Sequence, residues 1–258
     1  MPPSEIEFSV AQYKKAEQIL TQKAAEETPL AFALRRAPRK PRIDGDLGDF
    51  HRPSEAGIYL DENHNARAWA SYDNKNLYLA YQVHDRMLLA NGGQDSMILF
   101  KTGSAVDFQI GVDPEANPNR SKPVAGDQRI IIAHFQGKLT AVLYNYVVPG
   151  AKNPQSFSSG VGTVVVDVVR RIEEAEIAVT KGKGEYILEV AIPLEALAFD
   201  PKAGQKLKGD FGVIWSGPMG QRNAARCYWS NKAAGIVSDL PSEARINPNM
   251  WGEIEIAQ

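Results

Sequence analysis

The chain has 258 residues with 29 basic and 31 acidic side chains, a formal net charge of −2, and an ordinary globular share of apolar residues at 43%. Near-neutrality removes any global pull toward nucleic acid or anionic lipid, and no apolar run reaches the roughly 20 residues that a membrane helix needs. Cys227 is the only cysteine, so there is no internal disulfide and no thiolate metal cluster to build. It reads as a small core residue.

The start, MPPSEIEFSVAQYKK, lacks a basic segment followed by an apolar one, so no secretory leader is visible. Residues 9–26 predict a helix: Ser9 and Gln12 form a capping box, and Val10, Tyr13, Ala16, Ile19, Leu20 and Ala24 recur at helical spacing. We take residues 1–28 as a helical extension that could dock a neighbouring domain, and 29–258 as one β-domain. The segment from Arg35 to Arg42 then carries five positive charges and two prolines, which suits an extended, solvated stretch.

From Ile43 onward, short alternating stretches are separated by Gly, Pro, Asn and Asp. The clearest is Ala66–Asp85, in which Leu77, Leu79, Tyr81 and Val83 alternate with Tyr78, Ala80 and Gln82 after the turn Asp73-Asn74-Lys75-Asn76. Both faces carry bulk, so this hairpin is central and needs a covering sheet. Further strands are predicted at 106–112, 129–135, 139–147, 163–169, 172–179, 185–192, 210–215, 226–229 and 252–256, with one short helix after Pro193 near 194–199. Many strands without a βαβ rhythm predict an all-β fold, an antiparallel β-sandwich of jelly-roll type with two packed sheets.

Catalytic signatures are sparse. His51, His64, His84 and His134 are scattered, and no nucleophile elbow, phosphate loop or dinucleotide fingerprint occurs. Asp44, Asp46 and Asp49 sit on a glycine-flexed loop in a pattern that suits a hard cation such as calcium, though the bidentate Glu of an EF-hand is missing. Asp127 and Arg129 lead into an apolar strand, and polar groups beside aromatic surface are what a sugar-binding cleft uses. Trp69 and Trp215 read as core and Trp251 as a structural plug, while Trp229, followed by Ser230-Asn231-Lys232, is open between core and rim.

Taken in order, several motifs resemble carbohydrate-binding module family 9 and its wider DOMON-like relatives. They are Pro41-Arg42-Ile43-Asp44-Gly45 with Asp49-Phe50, then Tyr72-Asp73 through Leu77-Tyr78 to Val83 and Asp85, the strand Asp107–Asp113, Tyr186–Leu197, Phe211-Gly212-Val213 and Trp251-Gly252-Glu253-Ile254. The resemblance spans roughly residues 30–257. It implies a β-sandwich, non-catalytic glycan binding, structural calcium, and an extracellular or periplasmic place as an appendage of a larger polysaccharide-processing protein. The family's two loop tryptophans are absent: Phe100, Lys101 and Thr102 stand at the first place, and residues 233–249 hold no aromatic. The expected glycan contacts are therefore Phe100, Tyr144 and Trp229 for stacking, with Lys101, Asp127, Arg129 and Asn231 as polar partners. The alternatives are a haem-binding DOMON-like electron-transfer domain, with iron on Met87, Met97 or Met219 and His84 or a lysine, and an interaction domain without a small ligand.

Overall fold

The computed structural model describes residues 30–257, so the helix expected at 9–26 lies outside the described residues. Sixteen strands are described: β1 (Ala31–Arg36), β2 (Ala56–Asp61), β3 (His64–Tyr72), β4 (Asn76–His84), β5 (Ala90–Asn91), β6 (Ala105–Gly111), β7 (Asp127–Phe135), β8 (Lys138–Asn145), β9 (Gln155–Ser159), β10 (Gly162–Val166), β11 (Val168–Arg171), β12 (Glu176–Lys181), β13 (Glu185–Pro193), β14 (Lys206–Ser216), β15 (Asn223–Tyr228) and β16 (Gly252–Ala257). A short helix, α1 (Leu240–Ala244), capped by Asp239, was not expected, and the one expected after Pro193 is a 3₁₀ turn, Leu194–Leu197.

Fourteen strands form one curled sheet in the order β11-β8-β7-β6-β14-β16-β1-β3-β4-β13-β12, with β15 added to β14, β2 to β3 and β5 to β7. The long strand β14 pairs with β6 along one edge. Its other edge is shared between β16 at Lys206–Gly209 and β15 at Gly212–Ser216. Through this fork the sheet folds over on itself as a β-sandwich. The joint is β1, which runs parallel to both β16 and β3. The expected all-antiparallel pairing thus fails at β1, where a single strand closes the two layers, and at β5, which is parallel to β7.

The alternation read from the sequence decides what each face packs against. Leu77, Leu79, Tyr81 and Val83 of β4 enter the inter-sheet core with Phe32, Phe108, Phe211, Trp215 and Trp229, while Tyr78 and Ala80 point the other way and lie under Leu47, Phe50 and Trp69. The turn before β4 is held as expected. Asp73 Oδ1 accepts from the N–H of Lys75 (2.7 Å) and Asn76 (2.8 Å), and Tyr78 Oη donates to Asp73 Oδ2 (2.6 Å).

The outer face of β6, β7 and β8 is apolar as well. Ala105, Ile131, Ala133, Val142 and Tyr144 form a second core with Phe100, Phe157, Val166, Ile246 and Trp251. Its cover is the separate two-stranded sheet β9–β10, together with α1 and the segment after it. The stretch 163–169, read as one strand, is two: β10 pairs with β9 and β11 with β8, and they part at Asp167, whose Oδ2 accepts from Val148 N at 2.8 Å.

Candidate functional site

Four of the seven residues expected to contact a glycan, Phe100, Lys101, Arg129 and Tyr144, do come together beside the outer face of β7, but under cover. Arg129 is 0% exposed. Its Nε and Nη2 donate to Asp107 Oδ2 at 3.0 and 2.7 Å, its Nη1 donates to the Glu243 carbonyl at 2.7 Å, and its guanidinium lies 5.0 Å over the Phe100 ring. Tyr228 Oη also donates to Asp107 Oδ2 (2.5 Å), and burial pushes the Tyr228 hydroxyl well above the usual phenol range. Phe100 and Tyr144 pack edge to face at 5.8 Å, and Tyr144 Oη donates to the Met97 carbonyl (3.0 Å).

The lid on this chamber is α1. Glu243, itself 0% exposed, takes Lys101 Nζ at 2.6 Å, the Asn223 amide and the Ser238 N–H, while Tyr146 Oη donates to the Ala244 carbonyl. The remaining three residues lie elsewhere. Asp127 holds Arg120 and accepts from Val124 N, Asn231 donates its backbone N–H to Asp210 and accepts from Ala234 N, and Trp229 packs between the sheets 6.2 Å from Phe32 and 5.9 Å from Phe211. Ring stacking needs an open aromatic face, and Phe100, Tyr144 and Trp229 are all buried. The seven therefore make no open glycan cleft. Alternation placed Arg129 correctly on the outer face, but nothing local foretold that the Glu243 carbonyl, 114 residues later, would close over it.

The carboxylates of the Asp44–Asp49 loop bond mostly within it, while Asp49 Oδ1, and Oε1 of the anchoring Glu189, are buried without a hydrogen-bond partner. Asp44 Oδ1 accepts from Asp46 N, Asp46 Oδ1 from Gly48 N, and Asp49 Oδ2 from Arg42 Nε at 3.0 Å, with Asp44 Oδ2 3.5 Å from the same guanidinium. That ion pair holds the Asp49 carboxyl below the usual range. The loop is anchored by Glu189 of β13, whose Oε2 accepts from Asp44 N (3.1 Å) and Gly45 N (2.8 Å). Among the described residues no group of three or more His, Cys, Asp or Glu is gathered closely enough to hold a metal ion. The Arg42 guanidinium already answers two of the three acids. Of the haem-ligand candidates, Met87 lines the cleft described next, Met97 sits beside the outer-face chamber, Met219 projects into solvent at 74% exposure, and the exposed His84 faces Glu185.

One open cleft has the character of a ligand site that the sequence did not suggest. It lies at the end of the sandwich between the β2–β3 turn, the chain after β4 and the end of β14, measures about 360 Å³, and is lined by Asn63, His64, Arg86, Met87, Trp215 and Pro218 among others. Small-molecule sites start near this size. The imidazole is fixed: His64 Nδ1 donates to the Asp61 carboxylate at 2.9 Å, and the ring stands edge-on to Trp215 at 5.4 Å. Arg86 Nη2 donates to Asn63 Oδ1 (3.1 Å), and Trp215 Nε1 donates to the His84 carbonyl (2.6 Å).

Both loops at this cleft hold bulky residues in left-handed backbone, Leu88 (φ 51°), Leu89 (φ 64°) and Met219 (φ 65°), each costing on the order of 1–3 kcal/mol. The strain is sustained by Asp85, which accepts from Met87 N and Leu89 N, and by a close backbone approach in which Gly92 N donates to Gly220 O at 2.6 Å. At Gly220 a side chain would run into Ala90 Cβ at 2.7 Å, so only glycine lets the two loops meet.

No protein-family profile and no curated protein matches the sequence. Solved structures do match by shape. A family 9 carbohydrate-binding module from Caldicellulosiruptor kristjanssonii in complex with cellotriose superposes over 88% of this chain and 94% of its own, with a TM-score of 0.57 at 16% identity. The same organism's module in complex with glucose gives 0.54 at 16% identity, over 88% and 96%. A proposed carbohydrate-binding protein from Bacteroides uniformis gives 0.52 at 11% identity, over 89% and 100%. The fold is that of the family 9 modules, as the motif order implied.

Proposed function

We propose that this chain, sharing its fold with family 9 carbohydrate-binding modules, binds carbohydrate without chemically altering it, and does so at the end cleft rather than under α1. The likeness to modules solved with cellotriose and glucose carries the ligand class. The cleft supplies the means: a fixed imidazole at His64, N–H donors at Arg86 and Asn63, and an apolar wall of Trp215, Met87 and Pro218. Hydroxyls need donors and acceptors together, while the C–H face of a sugar needs apolar surface. In this reading the module works outside the cell or in the periplasm as the targeting part of a larger polysaccharide-processing protein.

Calorimetric titration with soluble gluco-, manno-, xylo- and galacto-oligosaccharides tests the reading. The expected result is saturable binding that weakens at least tenfold in His64→Ala and Arg86→Ala, with the melting temperature unchanged and no new reducing ends released. Binding that ignores both substitutions would move the site elsewhere; silence across the whole set would reject carbohydrate binding.

A further inference from the structure

Lys206 and Lys208 stand two residues apart on β14 and so share one face of that strand, but their surroundings differ. Lys206 is exposed, and its Nζ pairs with Glu253 Oε1 of β16 at 3.0 Å. Lys208 is half-buried and, among the described residues, has no hydrogen-bond or ion-pair partner. In register it lies between Glu253 of β16, already taken by Lys206, and Gly111 of β6. Arg120 fills the space over Gly111, where any side chain on that residue would strike its guanidinium. It is kept there by Asp127, to which its Nε donates at 2.8 Å, and by the Trp251 ring 5.7 Å away. The other acids nearby are engaged too: Asp210, on the same strand, receives the N–H groups of Phe211, Ser230 and Asn231, and Asp113 receives that of Glu115.

Lys208 lines a recess of about 250 Å³ between β14, β16 and the loop from β6 to β7, to which Pro114, Ala116 and Pro118 give an apolar wall. That volume is below the roughly 300 Å³ at which sites for drug-sized molecules begin, so it suits a ligand of a few carbons. Burial pushes the Lys208 amine below the usual lysine range; Glu253 opposes this and Arg120 reinforces it, whereas pairing with Glu253 holds Lys206 above that range. A lysine that is desolvated and set beside another cation keeps a larger neutral fraction, and the neutral amine is the form that attacks a carbonyl. No further reactant is needed. The Nζ lone pair adds to the carbonyl carbon, one amine proton passes to the carbonyl oxygen, and the resulting carbinolamine loses its hydroxyl with the second amine proton as water, leaving a C=N bond.

We propose that Lys208 and this recess form a site at which small aldehydes are held as a reversible imine. The site shares no residue with the end cleft and holds whether or not that cleft takes sugar. The test treats the intact wild-type chain at pH 7 with glyceraldehyde and cyanoborohydride, whose hydride reduces the C=N bond to a stable secondary amine, and follows each lysine by peptide mass spectrometry. Lys208 is expected to be labelled at least tenfold faster than the paired Lys206 and the exposed Lys138, at a rate that saturates with glyceraldehyde and levels off at a lower pH than that of Lys206. In Lys208→Arg, which keeps the charge, the fast phase is expected to vanish while Lys206 and Lys138 label as before. Equal rates at the three lysines, or one pH profile shared by Lys206 and Lys208, would overturn the proposal. So would fast labelling that rises linearly with glyceraldehyde and never saturates, since that marks a reactive amine with no site, and so would a fast phase that survives in Lys208→Arg.

Discussion

Asp210, wholly buried on β14, receives the N–H groups of Phe211 (2.9 Å), Ser230 (2.8 Å) and Asn231 (2.8 Å), and burial still pushes its carboxyl up to about 7. An acid whose folded pKa is raised binds more protons folded than unfolded, so its contribution is complete below the unfolded value near 4 and is lost as the pH rises through about 7. The melting temperature is therefore expected to fall between about pH 4 and about pH 7, and to fall less in Asp210→Asn; an identical pH profile in the variant would show that Asp210 is not the group responsible. Arg129 and Asp107 give a second residue-scale prediction. Removing one partner of a buried pair strands the other, at a cost of about 3–5 kcal/mol, whereas replacing both with apolar residues recovers much of that loss. Urea denaturation of Arg129→Met, and of Arg129→Met with Asp107→Leu, checks it; equal losses in the two variants would contradict the argument.

At the scale of elements, the outer faces of the sandwich depend on covers that are not strands of the main sheet. The β9–β10 hairpin is a sheet of its own, and its hold is side-chain packing, with Phe157 edge-on to Phe100 at 5.4 Å. Phe157→Ala is expected to cost about 3–5 kcal/mol and to increase hydrogen exchange at β9, β10 and α1 before the central strands; uniform loss of protection would refute a locally held cover. On the other face, the Asp44–Asp49 loop hangs on Glu189, so Glu189→Ala should loosen it and lower stability. Because its acids are answered by Arg42 and by backbone N–H groups, chelation or added calcium is expected to leave the melting temperature unmoved; a rise with calcium would show native-state binding. Strand positions were legible locally because β4, β7 and β13 display their faces in period two. The covers were not, because Glu243 meets Lys101 across 142 residues, and no periodicity reports a partner that distant.

For the whole molecule, β1 is the closure. By pairing with β16 and β3 in parallel it turns two layers into one continuous sheet around a single inter-sheet core. Phe32 on β1 packs 4.8 Å from Phe211, so the layers are expected to unfold together, with tryptophan fluorescence and far-ultraviolet dichroism reporting one coincident transition. Two separated transitions would mean that the layers are independent. Leu30–Arg36 alternates only weakly in sequence, which is why its role was invisible: a strand that joins two sheets is defined by what lies on either side of it.

By itself the sequence determined the class of fold, the central hairpin 66–85, the faces of its strands and the order of motifs that led to the right fold family. These follow from side-chain periodicity and turn chemistry, which act over a few residues. Only the tertiary structure decided what is accessible. It buried Phe100, Arg129 and Tyr144 beneath α1 and opened a cleft at His64 instead, because exposure depends on which distant segments pack over a face, and apolar and polar residues alike are buried once a cover supplies their partners.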